Sequence, residues 1–253
     1  MNSNYAYFAG VGAAIGLFGI LFCQRKKTKG EEIKKNLIVI DFPIKNRSEG
    51  LLSKLFGSSQ NNTTIRTSFA IKINDRLRNI DLNEPIDIVI NTTGGELTAI
   101  EMICKTLIKH KGKITAYIPK YCFSGGTYIA LLADEIFMGR NAYIGPTDPQ
   151  FNIPLIGRIP ANAIIHSDHI ESSSKMTAIM SYMANQARHR CDSLMKEIML
   201  RVYSNSPDVI AKIMDELSSG KYEHSHIFTC DELQEYGLNV KKGVPEQIFN
   251  MVS

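Results

Sequence analysis

The sequence lacks two features that would point to whole classes of protein: paired cysteines and widely spread positive charge. Its five cysteines are odd in number and follow no spacing motif, which argues against a disulfide framework and fits a reducing compartment. The net charge is +4, and Arg25, Lys26, Lys27 and Lys29 carry all of it, because residues 1–30 contain no acidic residue. The rest of the chain is net neutral, so no broad basic surface for nucleic acid is predicted.

A long uncharged run near the N-terminus predicts a membrane anchor. Tyr5 to Cys23 contains 19 residues without a charge, close to the roughly 20 that a helix needs to cross a bilayer. The basic cluster follows this run, which is the wrong order for a cleaved signal peptide, and the positive-inside rule then places everything after it in the cytoplasm. A buried core helix is the other alternative.

A serine stands between a predicted strand and a predicted helix in the middle of the chain. The β-branched run Lys113 to Ile118 is followed by Ser124, Gly125 and Gly126, and then by an apolar segment from Thr127 to Ala133. The first backbone N–H groups of a helix are unpaired and carry the positive end of its dipole, so they stabilise an anion formed beside the serine. The alternative is that Ser124 only caps the helix.

A second strand–turn–helix unit lies just upstream. Ile86 to Asn91 reads as a strand, Gly94 and Gly95 form the turn, and Glu96 to His110 carries a helical apolar stripe. Glycine suits positions with positive φ or close backbone approach. The alternation continues to Met138 and indicates an α/β fold with a mainly parallel sheet, in which both turns lie at one edge.

Three blocks of sequence resemble successive landmarks of one family. NTTGGELTAIEMI, YCFSGGTYIALLADEIFMGRNAYIGPTDPQF and YEHSHIFTCDELQEYGLNV are similar to segments of the serine dehydrogenase proteinase family, a branch of the Clp protease/crotonase superfamily that also holds signal peptide peptidase A. The resemblance covers roughly Ile38 to Val244. It implies a Clp protease/crotonase-like fold of repeated strand–turn–helix units and the activity of a membrane-linked serine peptidase.

The resemblance also implies the parts of an active site. It makes Ser124 the nucleophile and assigns the oxyanion donors to the N–H groups around Gly94 and Gly95 and of Gly125. Thr93 stands where the family commonly has proline, which leaves the first turn less rigid. No GxSxG motif surrounds the serine, so an α/β-hydrolase elbow is not indicated.

The general base is the least determined part of this site. Within the superfamily it is either a histidine paired with aspartate or a buried, neutral lysine. Lys175 lies 51 residues after Ser124, a separation similar to that in the signal peptide peptidases with a Ser–Lys dyad, and a desolvated lysine can act as a base near neutral pH. We predict Lys175 as the base, with a solvated first-turn lysine as the alternative. The closer family tends to carry a lysine near Arg188 or His189, but arginine cannot act as a base.

Other ionisable residues leave several roles open. Asp148 lies in GPTDPQ, where the Clp proteases place their histidine, and we predict that it orients a base, binds substrate or caps its own turn. His166 and His169 flank Asp168, and a second pair lies near the C-terminus at His224 and His226. Neither pair has an evident third ligand, so surface or structural roles are preferred and no metal or cofactor is predicted.

These observations predict two parts, a transmembrane anchor with its basic flank at residues 1–30 and one serine peptidase domain at residues 31–253. The expected substrates are peptides or membrane-protein segments. A homo-oligomer is expected from the relatives. One apolar helix face is predicted to pack in the core or against another subunit, and it consists of Met176, Ile179, Met180, Met183 and Ala187. The alternatives are a catalytically silent membrane scaffold and a crotonase-like acyl-CoA enzyme, although no CoA site is evident.

Overall fold

The computed structural model describes residues 36–42, 64–153, 155–167 and 175–252. The predicted anchor at Tyr5 to Cys23, its basic flank and the predicted domain boundary after residue 30 lie outside these ranges. Among the helices that are described, none is both long and apolar enough to span a bilayer.

A parallel sheet forms the centre of the described fold. Its strands follow the order β6-β4-β2-β3-β5-β9, and β1 pairs with β2. Their bounds are β1 Leu37–Phe42, β2 Ile86–Thr92, β3 Ile114–Ile118, β4 Tyr121–Cys122, β5 Glu135–Met138, β6 Tyr143–Ile144 and β9 Val240–Lys242. Strands β1 to β3 are almost entirely buried, as expected for a parallel sheet that is covered on both faces. The predicted α/β class with a mainly parallel sheet is confirmed.

Helices cover the sheet, and one of them is 29 residues long. They are α1 Thr67–Arg78, α2 Leu97–Ile108, α3 Gly125–Leu131, α4 Ala161–Ser167, α5 Lys175–Tyr203, α6 Pro207–Ile213, a π-helix Met214–Ser218, α7 Cys230–Glu235 and α8 Glu246–Phe249. In α2 the buried residues recur every three or four positions, from Ala99 to Leu107, so one face packs on the sheet. A capping box formed by Thr229 and Glu232 is present at the start of α7.

Neighbouring strand ends bring the two glycine turns together. Thr92, the last residue of β2, pairs with Cys122, the last residue of β4. Since both strands run in the same direction, the residues that follow them leave the same edge of the sheet. Gly94 and Ser124 each lie two positions beyond this pair, so the topology places the turns side by side.

The stretch from Asn141 to Ile156 is rich in proline but is not wholly irregular. This stretch holds β6 and also β7 Gln150–Ile153, which pairs with β8 Gly157–Pro160 in an antiparallel hairpin outside the main sheet. Two prolines next to the hairpin do not prevent this pairing, because Pro149 precedes β7 and Pro160 is the last residue of β8.

Candidate active site

Ser124 occupies a backbone position that normally requires glycine. Its φ of 52° and ψ of −119° are those of the second residue in a type II′ turn, and the N–H of Gly126 closes that turn on the carbonyl of Phe123 at 2.9 Å. A non-glycine residue held at positive φ costs about 1–3 kcal/mol and is typical of functional sites. The Ser124 side chain makes no capping hydrogen bond to α3, so the alternative role as a helix cap is not observed.

The two glycine turns are in direct backbone contact. A Cβ added to Gly94 would lie 2.8 Å from the backbone nitrogen of Gly125 and 2.8 Å from the Cβ of Ser124. A Cβ added to Gly125 would lie 3.3 Å from the nitrogen of Gly95. These separations place the backbone nitrogens of Gly95 and Gly125 close to each other beside Ser124, and they leave no room for side chains at Gly94 and Gly125.

Only some of the predicted oxyanion donors are available. The N–H of Gly94 already donates to the hydroxyl oxygen of Thr92 at 3.1 Å, so it is not free to bind an oxyanion. Gly94 instead allows the turn to form, because its φ is 102° and it has no side chain. Within the described ranges the N–H groups of Gly95 and Gly125 make no hydrogen bond. Two unpaired donors next to a serine are the arrangement that stabilises a tetrahedral oxyanion.

A histidine–aspartate pair lies in the same site. Nδ1 of His224 is 2.7 Å from Oδ1 of Asp148. The Asp148 side chain is only 4% exposed, whereas that of His224 is 24% exposed. A carboxylate can only accept, so in the neutral ring Nδ1 carries the proton and Nε2 is left as the acceptor. This tautomer is the one that a general base needs.

Several hydrogen bonds fix the segment that carries Asp148. The amide of Gln150 donates to its second oxygen, Oδ2. The backbone N–H and the hydroxyl of Thr147 both donate to the carbonyl of Leu217, at 2.8 and 3.0 Å. The phenol of Tyr128 in α3 donates to the carbonyl of Thr147 at 3.1 Å. The carboxylate is therefore held from both sides and connected to the helix behind the serine.

Ser124, Asp148 and His224 line one cavity of about 370 Å³. Apolar side chains form part of its wall, namely Leu97, Ile100, Tyr128, Phe151, Ala187 and Cys191. Gly95 and Gly125 also line it. A nucleophile, a base with its carboxylate, and oxyanion donors around one cleft are the groups that acyl transfer requires.

The structure places Lys175 away from this cavity. Lys175 is the first residue of α5, is exposed and does not line the cavity wall. A neutral lysine base needs burial, so its surroundings do not favour that role. Arg188 donates to the carbonyl of Ser219 at 2.7 Å, while His166 and His189 are exposed.

Cys122, two residues before Ser124, is a packed thiol. It is fully buried, and that burial raises its pKa well above the ordinary value. A thiol that stays protonated is a poor nucleophile. This environment makes Cys122 a packing residue and not a nucleophile.

His224 was not predicted as a base from the sequence. His224 and Asp148 are 76 residues apart, and no local spacing links them. The available signal was that His224 lies in the third of the three family-like blocks, in YEHSHIFTC. Its neighbour His226 instead stacks on Tyr222, with ring centroids 4.2 Å apart.

Comparison with known families places most of this fold in one group. A family model described as ClpP-like SDH-type serine proteinase matches residues 63–253. The uncharacterised protein MJ1495 of Methanocaldococcus jannaschii is 35% identical over 170 residues, which are 66% of this chain and 56% of that protein. The uncharacterised protein MJ0137 of the same organism is 32% identical over 174 residues, which are 67% of this chain and 58% of that protein. The chain thus spans little more than half the length of these relatives.

Among solved structures, a ClpP1 mutant from Listeria monocytogenes resembles this chain at low similarity. The two are 18% identical, with a TM-score of 0.45 over 74% of this chain and 90% of that one.

Proposed function

Because the chain belongs to the ClpP-like SDH-type serine proteinase family, we propose that it is a serine peptidase with Ser124 as its nucleophile. The observation that supports this most strongly is the strained Ser124 in the same cavity as the His224–Asp148 pair. Folding alone gives no reason to keep a side chain at a turn position that favours glycine.

The proposed reaction is acyl transfer to the serine followed by hydrolysis. Nε2 of His224 takes the proton of the Ser124 hydroxyl as its oxygen attacks the peptide carbonyl. The N–H groups of Gly95 and Gly125 stabilise the oxyanion, and the imidazolium of His224 then protonates the leaving amine. In the second half of the reaction, Nε2 of His224 takes a proton from a water molecule as that water attacks the acyl ester. The same proton is then returned to the Ser124 oxygen as the acid product leaves. Asp148 keeps the imidazole in the productive tautomer and stabilises its charged form.

His224 is a better candidate for the base than Lys175. His224 lies in the cavity wall and has a buried carboxylate partner, whereas Lys175 is exposed and outside that wall. The Ser–Lys mechanism remains the competing proposal, and the experiments below distinguish the two.

We propose that substrates bind as extended peptides along the Gly95 segment. One edge of this segment is already occupied, because Ile65 donates to the carbonyl of Gly94 and accepts from the N–H of Glu96, both at 2.9 Å. The peptide would pair with the opposite edge, between Gly95 and Gln150, which both line the cavity. The apolar wall formed by Leu97, Ile100 and Tyr128 would receive an apolar side chain of the substrate.

The proposed peptidase is anchored in a membrane and faces the cytoplasm. The support is the 19-residue uncharged run at Tyr5 to Cys23 and the basic cluster that follows it. We expect the full chain to stay in the membrane pellet after alkaline carbonate washing. In vesicles whose interior corresponds to the cytoplasm, a tag at the C-terminus should be protected from added protease. The tag should be digested only after the vesicles are opened. Release by carbonate would contradict the anchor.

Self-association is proposed through the N-terminal half of α5. Met176, Ile179, Tyr182 and Met183 are 53–66% exposed. Met180, on the same predicted face, instead packs against the cluster of Ala161, Ile164 and Ala184, so core packing within one chain accounts for only part of this face. Exposed apolar side chains at helical spacing are typical of a contact surface. Light scattering of the detergent-extracted protein should give a multiple of 28.3 kDa, and a monomer mass for the wild type would contradict the proposal.

The test of the proposed activity uses the purified full chain. We expect a fluorophosphonate probe to label it and fluorescein-labelled casein to be cleaved, because an activated serine reacts with the first and an open cleft admits the second. Coenzyme A should not raise the melting temperature. A folded protein that neither reacts with the probe nor cleaves casein would favour the silent scaffold, and stabilisation by coenzyme A would favour the acyl-CoA enzyme.

A further inference from the structure

A buried carboxylate lies in the π-helix that precedes His224. Glu216 is only 4% exposed and does not line the cavity. A charge removed from water requires close partners, because its desolvation is costly. π-helical turns are rare and are often found near functional sites. Glu216 thus has no direct access to the serine but lies eight residues before the histidine.

Three donors satisfy this carboxylate. Lys212 and Lys221 approach Oε1 at 2.8 and 3.0 Å, and the phenol of Tyr222 donates to Oε2 at 2.7 Å. The hydrogen bonds from Lys212, Tyr222 and Lys221 lower the pKa of Glu216 to about 2, so its side chain is ionised at neutral pH. The shortest of the three bonds comes from Tyr222, two residues before His224.

The π-helix is also attached to the segment that carries Asp148. Leu217, next to Glu216, accepts two hydrogen bonds from Thr147, next to Asp148. The same short helix therefore contacts both arms of the His224–Asp148 pair. A shift of the π-helix would move the histidine relative to its carboxylate.

The segment beyond His224 is fixed independently. The backbone of Phe228 exchanges two hydrogen bonds with Ile144 of β6, at 2.7 and 3.1 Å. Its ring meets the rings of Tyr222 and His226 edge to face, with centroids 5.4 and 4.6 Å apart. His224 itself lies in a stretch without regular helix or strand. Its position is thus defined by Tyr222 on one side and Phe228 on the other.

We propose that Glu216 and Tyr222 are positioning residues for His224, a role that rests on the proposed function. The carboxylate holds the phenol, and the phenol fixes the backbone that presents Nε2 to the serine. Neither side chain touches the reacting atoms. The geometry explains why a carboxylate is buried with two lysines and a tyrosine at this place, where an apolar residue would pack without the cost of desolvation.

The test measures the reaction of Ser124 with a fluorophosphonate probe in Tyr222→Phe. This substitution removes one oxygen and keeps the aromatic stack. We expect kinact to fall about 10- to 100-fold, because a base displaced by a fraction of an ångström loses its alignment, while KI stays within about twofold of the wild type. Tyr203→Phe is the matched control, since the Tyr203 hydroxyl accepts from the N–H of Asn239 and does not contact the His224 segment.

A double-mutant comparison separates positioning from general destabilisation. Glu216→Gln removes the charge at the same shape, so it should lower kinact by a factor similar to that of Tyr222→Phe. If both residues act through one hydrogen bond, the double variant should be no slower than the slower single variant. The proposal would be overturned if the two single reductions in kinact multiplied in the double variant. It would also be overturned if kinact fell only in proportion to the fraction of folded protein.

A second readout does not depend on activity. The rate at which diethyl pyrocarbonate modifies His224, followed by mass spectrometry, should change severalfold in Tyr222→Phe and not in Tyr203→Phe, with the exposed His189 as internal reference. Unchanged kinact together with an unchanged His224 rate would overturn the proposal. If the wild type does not react with the probe at all, the proposed function fails, and the His224 modification rate alone decides whether Tyr222 positions that residue.

Discussion

Replacing Ser124 with alanine is expected to abolish labelling by the fluorophosphonate probe and to lower casein cleavage about ten-thousand-fold. Removal of a catalytic serine leaves only the contribution of the oxyanion donors and of substrate binding. The fold should be unaffected, because the Ser124 side chain makes no capping hydrogen bond and alanine has nearly the same size. Labelling that persists in folded Ser124→Ala would show that the probe reacts with a different residue.

The glycine variant at the same position should be inactive and yet more stable. Glycine removes the strain of the positive φ but makes the unfolded chain more flexible. We expect the free energy of unfolding to rise by about 1 kcal/mol in total. For a domain of this size, that corresponds to a rise of about 2–4 °C in melting temperature. Ser206→Gly is the control, because Ser206 has a φ of −133° and no side-chain capping bond, so no relief is expected there. A lower melting temperature in Ser124→Gly would contradict the claim of strain.

The serine and its glycine turns were predictable because their signals are local. Each turn follows a β-branched run and precedes an apolar helix, and parallel strands bring such turns to one edge. The two-residue strand β4 was not predicted, since Tyr121 and Cys122 are too short a run to show a period. The structure was also needed to exclude Gly94 as an oxyanion donor, because the bond from its N–H to Thr92 depends on a side-chain rotamer that the sequence does not reveal.

The His224–Asp148 pair was beyond this kind of prediction. Its two residues come from separate loops, and the hydrogen bond between them depends on how the π-helix docks against Thr147. A spacing argument favoured Lys175 instead, but spacing along the chain does not say which face of a helix a residue occupies. At the start of α5 that residue faces solvent, and the methionine-rich face behind it is exposed as well.

Replacing His224 with alanine is expected to reduce casein cleavage by about a thousandfold to ten-thousandfold, and Asp148→Asn by a similar factor. The first variant removes the base. The second leaves a neutral amide that no longer fixes the Nδ1–H tautomer. Lys175→Ala should keep activity within about twofold, because a solvated lysine outside the cavity contributes little. Casein cleavage per folded protein measures all three.

The opposite pattern, with loss in Lys175→Ala and retention in His224→Ala, would establish the Ser–Lys mechanism. Loss in His224→Ala together with retention in Lys175→Ala would instead assign the base to the residue that lines the cavity with Ser124 and is bonded to Asp148.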